Sequence, residues 1–246
     1  MSRTFFRTVE PGVGRVTVVL LAAAITVLSL LLVSIRSGAG ADEVRVTKTV
    51  ELGRSGTMPN AACPKNCQVV ASVSGFQVRE PQSDSPFKVP FDGSITHFTL
   101  YLGKPNGRDR ELLNDRFGSP PQAAITVLKK IRTSSGKEKF RLLRKSPVEG
   151  LNRYLGTKER IKLTKPLRVR KGNFVAIAVP TWAPIFAPGQ TQADNRWRAS
   201  RQPGKCGAGS VDQSSPQLKV DSNRFYACKF NGERLLYTAT LTNAPS

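Results

Sequence analysis

Lys171-Gly172-Asn173-Phe174-Val175-Ala176-Ile177-Ala178-Val179 decides the fold class. The first three residues make a turn, because glycine reaches backbone angles that other residues avoid and asparagine can bond its own backbone. The six that follow are apolar without a break and β-branched at Val175, Ile177 and Val179. A run this short, introduced by a turn, reads as a central strand buried on both faces.

Outward from that strand the same grammar repeats. In Ser94 to Leu102, Thr96, Phe98, Leu100 and Leu102 point one way and Ile95, His97, Thr99 and Tyr101 the other, which is the period of a strand with one core face. In Ala124 to Ile131 the residues Ile125, Val127 and Ile131 fall together against Thr126 and Lys130, although Leu128 and Lys129 break the pattern. Further short runs are Gln68 to Val78, Phe87 to Val89, Lys139 to Arg144, Arg160 to Leu163, Phe225 to Phe230 and Leu235 to Leu241. Prolines gather between these runs, as at Pro120-Pro121 and Pro184, where a missing N–H harms no ladder. The expectation is an all-β chain forming a single β-sandwich of about nine strands.

The chain is 246 residues long, 39% apolar and 22% charged, enough for one packed core. Val16 to Ile35 is an uncharged apolar run of 20 residues behind Arg3, Arg7 and Arg15, which is an insertion signal. Ala39 and Ala41 supply the small-residue pattern that a signal peptidase accepts. Residues 1–41 therefore read as a signal peptide or a single membrane anchor, 42–60 as a linker and 61–246 as the sandwich. Either way the sandwich is secreted or extracytoplasmic, tethered to the membrane by residues 16–35 if the segment stays. All four cysteines lie beyond it, and in an oxidising compartment they read as two disulfides, Cys63 with Cys67 and Cys206 with Cys228. Their spacings do not repeat the paired knuckles of a zinc ribbon, so no metal is expected.

Cys63-Pro64-Lys65-Asn66-Cys67, Val73-Ser74-Gly75-Phe76-Gln77, Pro90-Phe91-Asp92-Gly93-Ser94-Ile95-Thr96 and Leu167-Arg168-Val169-Arg170-Lys171-Gly172 follow the export segment in an order that resembles a group of uncharacterised exported actinobacterial proteins. The resemblance implies a jelly-roll-like β-sandwich. It carries over no catalytic residue.

Lys and Arg number 38 against 17 Asp and Glu, a net charge of +21 that exceeds what solubility requires. Sixteen of those cations fall between Lys129 and Lys171, against Glu138, Glu149 and Glu159. The candidate polyanion-binding residues are Lys129, Lys130, Arg132, Arg141, Arg144, Lys145, Arg168, Arg170 and Lys171. The partner expected outside a cell is an anionic wall polymer or an acidic membrane surface, held through phosphate or carboxylate. The competing reading is ordinary charge on solvated faces and protected sheet edges. Nothing resembles a helix-turn-helix, a zinc finger or an RNP motif, which argues against sequence-specific nucleic-acid binding.

A second candidate is the long irregular stretch from Trp182 to Val220, where Trp182 and Trp197, with Arg198 beside the latter, could stack on a glycan. The competing reading is a loop stapled back by Cys206 and Cys228, with the indoles buried beside Ile185 and Ala187, which is the more frequent fate of Trp. A third reading is a structural protein-interaction module. Catalysis has least support: there is no G-x-S-x-G elbow and no H-E-x-x-H, and the single histidine, His97, has no triad partner in sequence. Asp109, Glu111 and Asp115 fall in a polar loop neutralised by Arg108, Arg110 and Arg116. No catalytic residue and no cofactor are expected.

Overall fold

Hydrogen bonding between antiparallel strands organises the chain, seen in a computed structural model whose described residues are 47–54, 56–207 and 214–243. The strands are β1 (Thr49–Leu52), β2 (Val70–Glu80), β3 (Ser83–Asp84), β4 (Gly93–Tyr101), β5 (Gln122–Ile131), β6 (Lys139–Lys145), β7 (Glu149–Gly150) and β8 (Lys158–Val169). They continue as β9 (Phe174–Ala183), β10 (Phe186–Ala187), β11 (Arg196–Ala199), β12 (Asn223–Phe225), β13 (Cys228–Asn231), β14 (Arg234–Leu235) and β15 (Tyr237–Thr242). A small sheet runs β1-β15-β4-β8, and a large sheet runs β12-β6-β5-β9-β2-β11-β13 with β3 and β7 at its margins. One hydrophobic core joins both sheets, so the fold is an all-β sandwich.

The turn at Lys171–Asn173 forms as the sequence implies: Asn173 Oδ1 accepts from the Arg170 backbone N–H at 2.9 Å, and Asp92 Oδ1 accepts from that of Lys171 at 2.7 Å. β9 then runs between β2 and β5, with Val175 to Val179 wholly buried. Register places Val73, Ile125, Val127, Val175, Ile177 and Val179 on the large sheet's inner face, toward the small sheet.

The large sheet's outer face is covered as well, which a two-layer sandwich does not require. Phe76, Phe140, Phe174 and Tyr226 pack there with ring centroids 5.1 to 5.7 Å apart. Ser200 and residues 214–226 lie over them. Gln217 fixes it: its backbone N–H donates to Ser74 Oγ at 2.9 Å, and its side-chain oxygen accepts from the Tyr226 hydroxyl at 3.0 Å. The Cys206–Cys228 disulfide closes this segment, and Cys63–Cys67 closes the entry to the core; both pairings match the sequence reading. Two disulfides fit an oxidising, extracytoplasmic compartment.

Four features differ from the sequence expectation. Ile95 is fully buried beside Phe98 rather than on the opposite face. The cause is a bulge: Ile95 and His97 pair with the adjacent residues Leu241 and Thr240, so Thr96 is an extra residue that inverts the alternation. The polar stretch carrying Asp109, Glu111 and Asp115 is a helix, α1 (Gly107–Phe117), started by Asn106, whose side chain accepts the Asp109 N–H at 2.8 Å. β1 falls inside the stretch assigned to a linker and pairs with β15, so the sandwich begins before residue 61. Phe87 to Val89 forms no strand, only a bridge from Lys88 to Phe174.

Among the described residues no helix is long and apolar enough to cross a membrane. The expected export segment, Val16 to Ile35, lies outside them.

Candidate polyanion-binding surface

β8 is the edge strand of the small sheet, and its sequence sorts by parity. Ile161, Leu163, Leu167 and Val169 enter the core, while Lys158, Arg160, Lys162 and Arg168 are exposed on the outer face, and Arg170 is exposed just past the strand's end. Between Lys162 and Leu167 the register against β4 shifts, and Pro166 sits in that irregularity, where its missing N–H costs no ladder bond. The shift leaves Arg168 on the same side as Arg160 and Lys162.

Register also fixes what lies beside these cations. Across β4, Tyr101 faces Lys158, Thr99 faces Arg160, His97 faces Lys162 and Ser94 faces Arg168. The Lys158 ammonium stands 5.2 Å over the Tyr101 ring. Beyond them β15 contributes Thr238, Thr240 and Thr242, and β1 contributes Glu51. The Thr238 and Thr240 hydroxyls donate to the two oxygens of Glu51. The face is thus graded, with a carboxylate near one edge, hydroxyls in the middle and a column of cations along β8.

The earlier half of the basic block lies on the large sheet. Lys129 pairs with Arg141, and Arg144 with Val127, so Lys129, Arg141 and Arg144 share the side that faces the small sheet. Lys130 and Lys145 point the other way, and Arg132 is exposed in the turn after β5. β6 meets β8 across the sandwich, which brings both halves of the block to one margin. Lys130 is tied to Glu138 at 2.9 Å and Arg141 to Asp221 at 2.9 Å. Lys129, Arg132, Arg144, Lys145, Arg168, Arg170 and Lys171 make no ion pair among the described residues.

His97 sits among these charges, its Nδ1 3.0 Å from Thr96 Oγ1. Burial lowers its pKa, Arg160 and Lys162 lower it further, and Glu51 opposes them. Burial is the largest of these causes, and the part due to Arg160 and Lys162 reflects the positive charge along β8.

The glycan-stacking expectation is corrected, because neither indole is on the surface. Trp182 is 0% exposed beneath α1, its Nε1–H donating to Asn114 Oδ1 at 3.1 Å. Trp197 is 6% exposed, stacked 4.8 Å from Phe230, with its Nε1–H donating to Glu233 Oε2 at 2.7 Å. It also covers Gly75, where a Cβ would meet the ring at 2.8 Å. Arg198 is 7% exposed and donates from Nη1 to the Tyr226 carbonyl at 2.7 Å.

Lys158, Arg160 and Lys162 complete the β8 column and were not among the sequence candidates. Their signal was the alternation in Lys158-Glu159-Arg160-Ile161-Lys162-Leu163, where cations and apolar residues trade places. The surface defines a class, an all-β sandwich with a cationic edge. No protein-family model, curated protein or solved structure matches the chain.

Proposed function

We propose that the protein is an exported, non-catalytic binding module that holds polyanions on the cationic margin formed by β8 and the β5–β6 strands. The observation that carries the reading is the β8 column: Lys158, Arg160, Lys162 and Arg168 on one exposed face and Arg170 just past its end, without a carboxylate bound to any of them among the described residues. A repeating phosphate or carboxylate polymer, or an acidic lipid surface, would complement such a column through charge-assisted bonds, bidentate at Arg. Edge protection explains some of the charge, since Lys and Arg on an edge discourage strand addition. It does not call for the further cations that β5 and β6 bring to the same margin.

The test is co-sedimentation of the full chain with purified envelope fractions and with vesicles of acidic lipid. Neutralising about four phosphates on a single-chain polyanion predicts roughly 50-fold weaker binding between 50 and 200 mM salt. Charge reversal at Arg160, Lys162, Arg168 and Arg170 should abolish the binding at low salt. Retention that ignores both salt and charge reversal removes the reading. Preference for vesicles over wall material, or the reverse, identifies the source of the anion.

A further inference from the structure

We propose that the cleft between the β5–β6 turn and the chain on either side of the Cys206–Cys228 disulfide binds a phosphomonoester dianion, with Arg198 in its wall and Lys137 and Lys229 completing its charge. This site is separate from the β8 surface and does not depend on it. The cleft has a volume of about 400 Å³ and is lined by Lys137, Glu138, Arg198, Pro203, Cys206 and Lys229, among others. That size suits a small organic phosphate.

Arg198 is the informative member. It stands on the large sheet's outer side, register-matched to Phe76, and is more than nine-tenths buried. Its hydrogen bond among the described residues runs from Nη1 to the Tyr226 carbonyl, which leaves most of its five N–H donors without a protein acceptor there. Those N–H groups are not sealed within the protein, and Arg198 lines the cleft, so they are open to an anion seated there. The β11–β13 register puts Lys229 directly opposite Arg198, and like charges so placed repel.

One carboxylate lines the cleft, Glu138, and both of its oxygens are held by Lys130 at 2.9 and 3.0 Å. Arg198, Lys137 and Lys229 against Glu138 leave a charge of +2 in the wall. A phosphomonoester carries about −1.5 to −2 near pH 7 and presents three oxygens to a planar fork and two mobile ammonium groups. A carboxylate would leave half of that charge unmatched. The segments involved are far apart in sequence, so the site exists only once the disulfide-closed segment lies on the sheet.

The experiment is calorimetric titration of the full chain with inorganic phosphate and with phenyl phosphate. Binding is expected near or below about 1 mM, strengthening as pH rises through the second phosphate ionisation near about 6. Lys137→Ala with Lys229→Ala removes two exposed side chains and should weaken binding at least about tenfold, the equivalent of about 1.4 kcal/mol. Arg198→Lys keeps the charge and loses the fork, and should weaken it comparably; if that variant does not fold, the lysine pair decides. Arg160→Ala with Lys162→Ala should leave phosphate affinity unchanged while weakening polyanion retention. No measurable heat at about 10 mM phosphate, unchanged affinity in the lysine pair, or loss of phosphate binding in the β8 pair would each overturn the assignment.

Discussion

The Tyr237 hydroxyl in β15 donates across the core to the backbone carbonyl of Val175 in β9, 3.2 Å away, with the Gly75 carbonyl of β2 at 3.4 Å. A side chain of the small sheet thereby bonds to the central strands of the large one. Its ring stacks on Phe87 at 4.2 Å, so the hydroxyl is held in place by packing. Tyr237→Phe keeps the packing and removes the bond, and should cost about 1 kcal/mol. For a domain of this size that lowers Tm by roughly 2 to 4 °C in a calorimetric scan.

The same tyrosine sets an alkaline limit. Burial raises its pKa well above the usual value, with Glu80 adding to the effect, and burial raises that of Tyr226 as well. Both groups keep their protons in the folded state at pH values where the unfolded chain releases them. Their contribution is complete below about pH 10 and is lost as pH rises toward the folded pKa values. Chemical denaturation across that range should show stability falling with pH. The fall should be shallower in Tyr237→Phe, and an unchanged slope would mean that Tyr237 ionises without unfolding.

His97 reports on β8 from the opposite direction. Burial, Arg160 and Lys162 hold its pKa below the ordinary value, so the unfolded chain takes up the proton first on acidification. The stabilising contribution is present above about pH 6.5 and is lost as pH falls through the folded pKa. Arg160→Gln should move the imidazole titration, followed by proton NMR, toward higher pH. A polyanion seated on β8 should do the same by offsetting both cations, which makes the ring a probe of the proposed function.

Asn114 of α1 accepts the Trp182 N–H, and this bond is the helix's main polar tie to the sheet. Asn114→Ala leaves a buried donor without its partner and should cost about 1 to 3 kcal/mol. Intrinsic fluorescence should be blue-shifted and indifferent to neutral oligosaccharides, because both indoles are covered. Quenching by a neutral glycan would restore the stacking hypothesis.

These particulars show what the sequence could and could not reveal. Phe174 to Val179 was legible because a turn signal and an unbroken apolar run coincide, and the cysteine pairing because each pair sits in one stretch of chain. The inversion at Thr96 was not, since a bulge is fixed by partners more than 100 residues away in sequence. α1 escaped because it buries no residue and leaves Leu112 64% exposed, so it has no apolar stripe to detect. Strands of two residues, such as β10 and β14, pair only because the sandwich brings them together. The basic block was plain in composition, but its division between two sheets meeting at one margin depends on topology. Burial of Trp182 and Trp197 was legible as the commoner fate of indoles beside apolar Ile185 and Ala187, whereas the segments that cover them are placed only by tertiary structure.

The covering segment over Phe76, Phe140 and Tyr226 is the part of the fold that most depends on a covalent tie. Its described residues have little regular structure, and much of their attachment runs through Gln217 and the Cys206–Cys228 bond, which closes a loop of sequence separation 22. Loop-closure entropy for that length predicts a loss of about 3 kcal/mol in Cys206→Ser with Cys228→Ser. The loss should be local before it is global, since the two sheets keep their own ladders and the inner core. Hydrogen exchange should then rise in residues 214–227 and along β6 and β11, while β4, β8 and β15 stay protected. Phosphate binding should vanish with the tie, because Arg198 loses the carbonyl and the wall that hold it. Retention of polyanions on β8 should survive, and its loss would show that the two surfaces are one.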